Sequence, residues 1–209
     1  MNSFKEWLEI IYFITGGPAL AVIGYFALEQ IKISKETSQT NALRDSYKIS
    51  AMQTEFFVKE LIPKIICLRK RIKENDIGLL RKSKINLKEN GVSVERYIQE
   101  GDKEKIMLIA EEIQDVINLV ETFSLYFTSK VGSEKIAFSS VGHTYVDAMS
   151  ELMPIILMAR DGKHYDNLMK LYFLWAKRIE STNLIKEKAK IEEKLKSRKS
   201  EEFFPIGTN

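Results

Sequence analysis

One cysteine, Cys67, stands among 209 residues. It excludes an intramolecular disulfide and any Cys-x-x-Cys metal knuckle, and it fits a reducing compartment. Proline and glycine are scarce too, at 4 and 10. So few breakers favour long helices. Charge of one sign is also missing: 32 Lys and Arg face 29 Asp and Glu, for a formal +3. That balance gives no electrostatic reason to expect a nucleic-acid partner. No glycine sits in a Gly-x-x-x-x-Gly-Lys-Ser/Thr or Gly-x-Gly-x-x-Gly loop, where backbone amides would approach a phosphate. A Gly-x-Ser-x-Gly nucleophile elbow is absent as well.

Charge vanishes altogether in one place. Residues 10–28, "IIYFITGGPALAVIGYFAL", carry none for nineteen positions. As a helix they extend about 28 Å, close to the ~30 Å apolar core of a bilayer. Trp7, Tyr12 and Tyr25 lie near the ends, where amphipathic rings favour the headgroup level. A signal peptide is the first competitor, but Lys5 is mixed with Glu6 and Glu9, and bulky Tyr25 stands where a cleavage site wants a small residue. A buried soluble helix is the second, and it normally shows a polar stripe. The preferred expectation is an uncleaved transmembrane helix. Pro18 predicts a kink near its middle. Gly17, Ala21 and Gly24, at i, i+4 and i+7, form a smooth strip that suits close helix packing, though small residues are frequent in membrane helices anyway.

Lys5 is the one base before the span, whereas Lys32, Lys35, Arg44 and Lys48 follow it. The positive-inside bias therefore predicts an N-terminus outside and a C-terminal domain in the cytoplasm. The expected parts are a short extracytoplasmic N-terminus (1–9), the transmembrane helix (10–28), a juxtamembrane stalk (29–46), a cytosolic bundle (47–182), and a charged C-terminal helix with a frayed tail (183–209). Phe203 and Phe204 in that tail are candidates to dock on a partner.

Within the cytosolic part, Tyr47, Ala51, Thr54, Val58, Leu61, Ile65, Leu68 and Ile72 alternate steps of four and three. This seam predicts packing at a shallow angle, inside a bundle first and in a homo-oligomeric coiled coil second. Pro63, off the seam, predicts a bend. Basic residues at 69–73 and 81–84 read as a solvated face, with an anionic lipid or nucleic-acid patch as the alternative. A short helix is expected over 94–99. Asp102 is expected to cap a long helix over 103–129 whose apolar face runs from Ile106 to Phe127, widened by Leu108, Leu119 and Tyr126. A helix loosened at Gly142 and Pro154 follows, then a turn at Asp161-Gly162. The final helix starts near His164 and buries Leu168, Leu171, Tyr172, Trp175 and Ile179. No strand-like alternation is read anywhere. The fold class is all-α: a single N-terminal transmembrane helix followed by a cytosolic bundle of about four long helices.

Candidate chemistry is thin. His143, Asp147 and Glu151 share one helix face at i, i+4 and i+8, a spacing able to chelate an ion, yet a solvated face reads the same and a second histidine is missing. Ser139 near His143 lacks a third triad member. The expectation is no catalytic residue, no cofactor and no metal ligand. Asn118 and Glu121, three apart at the border of a buried helix, read as a polar pair that hydrogen-bonds the adjacent loop.

Two stretches, "NLVETFSLYFTSKVGSEKIAFSSVGHTY" (118–145) and "LMPIILMARDGKHYDNLMKLYFLWAKR" (152–178), resemble a group of uncharacterised bacterial proteins classed as a domain of unknown function. The shared features are an Asn-x-x-Glu on a helix, a glycine turn before an acid (Gly132, Glu134) and a proline-containing apolar helix. The resemblance implies an N-terminal anchor on a helical cytosolic domain, with Asn118 and Glu121 as pins for the following turn, and it implies no activity. The functional expectation is a membrane-anchored protein-interaction or scaffold module whose partners are the lipid bilayer and a protein, or itself. No nucleic acid is expected and no small-molecule ligand is identified. The alternatives are an oligomerising membrane effector and an enzyme with an unrecognised site.

Overall fold

The computed structural model describes residues 2–89, 91–159 and 164–198. The expected turn at Asp161-Gly162 and the tail bearing Phe203 and Phe204 lie outside them. The fold is predominantly helical, and the chain divides into two units, Met1–Tyr47 and Lys48–Asn209.

The first unit belongs to helix α1 (Asn2–Phe56), which contains Pro18. Among the described residues, α1 with its continuation is the one helix long and apolar enough to cross a membrane. None of that apolar window is buried.

In the second unit, the end of α1 passes through a π turn (Phe57–Leu61) into α2 (Ile62–Glu74). Here the structure corrects the expected seam. Its lower half is buried as predicted: Leu61, Ile65, Leu68 and Ile72. Above it, Tyr47 is 52% exposed and Val58 49%, and the inward positions are Ser50 and Phe57 instead. The cause is one extra residue in the turn. Ile62 N–H bonds the carbonyl of Phe57, five residues back, so every upstream inward position moves by one. Pro63 follows directly. Its missing donor and its ring disfavour an ordinary α turn there, and the wider turn accommodates both.

Short α3 (Gly78–Lys82) leads to a two-stranded antiparallel hairpin, β1 (Lys84–Lys88) and β2 (Gly91–Glu95). This is the second correction: strands were not expected, and a helix was expected over 94–99. Ile85 faces Val94 and Leu87 faces Val92, so one face of the hairpin is apolar and packs on the core. Ser83 Oγ accepts from the Tyr97 N–H at 3.0 Å and closes the open end. Asn90 lies outside the described residues.

The helix expected over 103–129 is two, α4 (Asp102–Leu108) and α5 (Ala110–Thr128), parted at Ile109 with φ −121° and ψ 17°. The break turns Leu108 outward to 71% exposure rather than widening the apolar face, while Ile109 itself is buried. Helices α6 (Glu134–Ala159) and α7 (Asp166–Arg198) complete the bundle. Ser50 Oγ accepts the Ser133 N–H at 2.6 Å and so fastens the chain before the π turn to the start of α6.

The core centres on rings. Trp175 on α7 is fully buried, with its ring centroid 4.8 Å from Tyr145, 5.7 Å from Phe138 and 6.3 Å from Phe123. Phe57 from the π turn lies 5.0 Å from Phe123. Gly142 is where α6 needs a glycine: an added Cβ would strike the Phe138 ring on its own helix. The latter half of α7 is exposed, and Glu192 there pairs with Lys188 at 3.8 Å rather than with Lys196.

Candidate functional site

Three carboxylates organise the second unit, each by capturing groups far away in sequence. Asp102 is 2% exposed. Its expected role as cap of its own helix is not what it does. Oδ1 accepts from the Gly78 N–H and Oδ2 from the Leu79 N–H, both at 2.9 Å. The Gln99 N–H also donates to Oδ2 at 2.9 Å. Gly101, at φ +83°, precedes α4 and leaves the carboxylate free to reach α3, whose first amides have no partner within their own helix. Burial pushes the Asp102 carboxyl up. The three backbone donors and nearby Lys105 outweigh it, so the net shift is downward. Gly78 has to be small here, because a Cβ would come within 2.9 Å of Gln99 Oε1.

Glu121 does the same for α7. Oε1 accepts from the Asn167 side-chain amide at 2.8 Å and its N–H at 3.2 Å, and Oε2 from the Leu168 N–H at 2.7 Å. These contacts cap the first turn of α7 from 46 residues away. The turn that directly follows α5 is not their target. Asn118 is exposed and parts company with Glu121: its Oδ1 accepts from Gln114 Nε2 at 2.9 Å. Gln114 also donates to the Tyr165 hydroxyl at 2.7 Å, so the two residues converge on the start of α7 by separate routes. Glu121→Gln is expected to cost about 1 kcal/mol in urea unfolding. Asn118→Ala should cost less than ~0.5, the value of an exposed pair on one helix.

The third carboxylate, Glu134, accepts from Trp175 Nε1 and holds Arg178 at 2.8 and 3.0 Å in a two-pronged pair. Arg178 also lies 4.5 Å above the Phe138 ring. In the sequence Trp175 reads as core and Glu134 as the acid after a glycine turn. Nothing in their spacing joins them.

The candidate chemical residues are not brought together. Asp147 and Glu151 both face Arg69, at 3.7 and 2.6 Å, while His143 is exposed and stacks loosely near Phe138. Ser139 Oγ donates to the Ile136 carbonyl and makes no contact with His143. Among the described residues no cluster of His, Cys, Asp or Glu is arranged to hold a metal ion. The basic stretch is largely spent on partners: Arg71 on Glu112 at 2.6 Å, Lys70 on Glu74, Arg81 on Asp76, and Lys82 on the Tyr97 ring. In the first unit, Ala21 is exposed and Gly24 has no atom within 4 Å of where its Cβ would be, while the surroundings of Gly17 lie outside what is described.

A cleft of about 660 Å³ lies where β1 and α3 face α6 and α7. Leu80, Ile85, Leu87 and Ile179 form its apolar part, and Glu180 and Glu187 stand on its α7 wall. Tyr172, beneath it, is 2% exposed, and burial raises its phenol pKa while Ser150 Oγ hydrogen-bonds the hydroxyl at 3.0 Å.

This geometry defines a helical bundle carrying a small hairpin, joined to an apolar helix. Compared with models of protein families, with curated proteins and with solved structures, the chain matches none of them.

Proposed function

We propose that this is a single-pass protein of the inner (cytoplasmic) membrane, N-terminus outside, whose cytoplasmic bundle serves as a protein-interaction or scaffold module. The observation that carries this reading is the unburied apolar window of α1. A helix of that length and composition suits lipid as its solvent. The bases that follow it favour the orientation. The buried Asp102 and the partly buried Glu121 and Glu134 are engaged in holding helices together, which supports a structural role.

The test is extraction followed by proteolysis. The full chain should remain in the membrane pellet through alkaline carbonate. Protease should remove the bundle only after the inner membrane is permeabilised. Release into the carbonate supernatant overturns the anchor, and digestion from the outer face of that membrane overturns the orientation.

A second reading, an oligomerising membrane effector, draws on the open face at Ala21 and Gly24. It expects membrane depolarisation on forced clustering, abolished by Gly17→Leu. Unchanged potential on clustering overturns it.

A further inference from the structure

We propose that the cleft between the β-hairpin and α7 is a binding site for an organic cation, a ligand with an apolar body and a positive charge. Every residue in it belongs to the second unit, so the inference stands whether or not α1 lies in a membrane.

Size comes first. About 660 Å³ falls within the ~300–1,000 Å³ of small-molecule sites. Shape and polarity come next. Leu80, Ile85 and Leu87 give β1 and α3 an apolar side, interrupted by Arg81 and Ser83, and α7 adds Ile179 and Leu184, so a ligand's hydrocarbon would leave water on several sides.

Charge then selects the ligand. Arg81 is the one basic residue lining the cleft, and its guanidinium is bound to Asp76. Asp147 and Glu151 share Arg69. Glu180 and Glu187 make no ion pair or hydrogen bond with any described residue. They stand seven residues apart on α7, about 10 Å along one face, with Leu184 between them. Two uncompensated carboxylates beside an apolar concave wall concentrate negative potential there. An anion is repelled, a neutral apolar molecule gains only the wall, and a cation gains both.

The experiment uses the full chain in nanodiscs of phosphatidylcholine, titrated by equilibrium dialysis with tetraphenylphosphonium. Tetraphenylborate serves as the control of equal shape and opposite charge. Saturable uptake of the cation is expected, with no saturable uptake of the anion. Glu180→Gln with Glu187→Gln should weaken it about tenfold. Leu184→Lys, at a position 59% exposed, should abolish it. All three substitutions alter exposed side chains, and an unchanged far-ultraviolet circular dichroism spectrum verifies the fold. Uptake equal in wild type and the double variant, equal for cation and anion, or never saturating overturns the proposal.

Discussion

Trp175→Ala is expected to lower the stability of the bundle by about 4 kcal/mol. Single domains have only ~5–15 kcal/mol in total, so the variant should be largely unfolded under mild denaturing conditions. Two losses combine. The first is packing: the indole is fully buried and meets rings from α5 and α6 at centroid distances of 4.8 to 6.3 Å, so its removal leaves a hole bounded by stiff aromatics that cannot collapse into it. The second is polar, since Glu134 loses the indole donor and keeps only Arg178. Trp175→Phe separates them, because it retains much of the volume and loses the donor; about half the cost is expected. Urea unfolding of the full chain in detergent, followed by far-ultraviolet circular dichroism, measures both. A shift below ~1 kcal/mol for the alanine variant would show that the ring cluster is not the centre of the core.

Asp102→Asn is expected to cost about 3 kcal/mol near neutral pH, and the loss should fade in acid. An amide can satisfy at most part of what the carboxylate satisfies, and its own N–H₂ confronts the amides of Gly78, Leu79 and Gln99. The pH dependence follows from the direction of the pKa shift. In the folded chain the carboxyl lies below its ordinary 3.8. Its contribution is therefore fully present above that ordinary value and is lost as pH falls through the folded value, because the unfolded chain takes up the proton first. Wild type and variant should differ most at pH 7 and begin to converge once the pH falls below 3.8. Urea unfolding at several pH values gives the difference, and amide exchange at Gly78 and Leu79 should quicken in the variant. A gap that stays constant as the pH falls well below 3.8 would mean that shape at position 102, and not its charge, matters.

Much of the architecture is readable from one dimension because helices advertise themselves through period and continuity. Residues 10–28 stand out by uniform lack of charge, and Ile113 to Phe127 by a single apolar face, and both are helical as expected. What escaped involves irregularity or distance. A π turn is invisible to a four-and-three count, so the seam was placed one residue off above Leu61. The hairpin was missed although Asn90-Gly91 between "INL" and "VSV" is a strong turn signal. Two five-residue strands, the first bounded by Lys84 and Lys88, resemble loop until their apolar alternation is set against the bundle they cover. Asp102, Glu121 and Glu134 carried another kind of silence. Asp102 looks like a cap of its own helix and Glu121 like a pin for the adjacent loop, and only the folded chain shows them serving helices 23 to 47 residues away.

That long reach has a temporal side. Ribosomes deliver roughly 5–20 residues per second, and Phe57 emerges more than a hundred residues before Trp175. For some 6 to 24 seconds the greasy ridge of the nascent chain lacks the element that completes its enclosure. Helix α7, the last of the described helices to be synthesised, is the lock, so chains cut short ahead of it leave the ribosome sticky and unfinished.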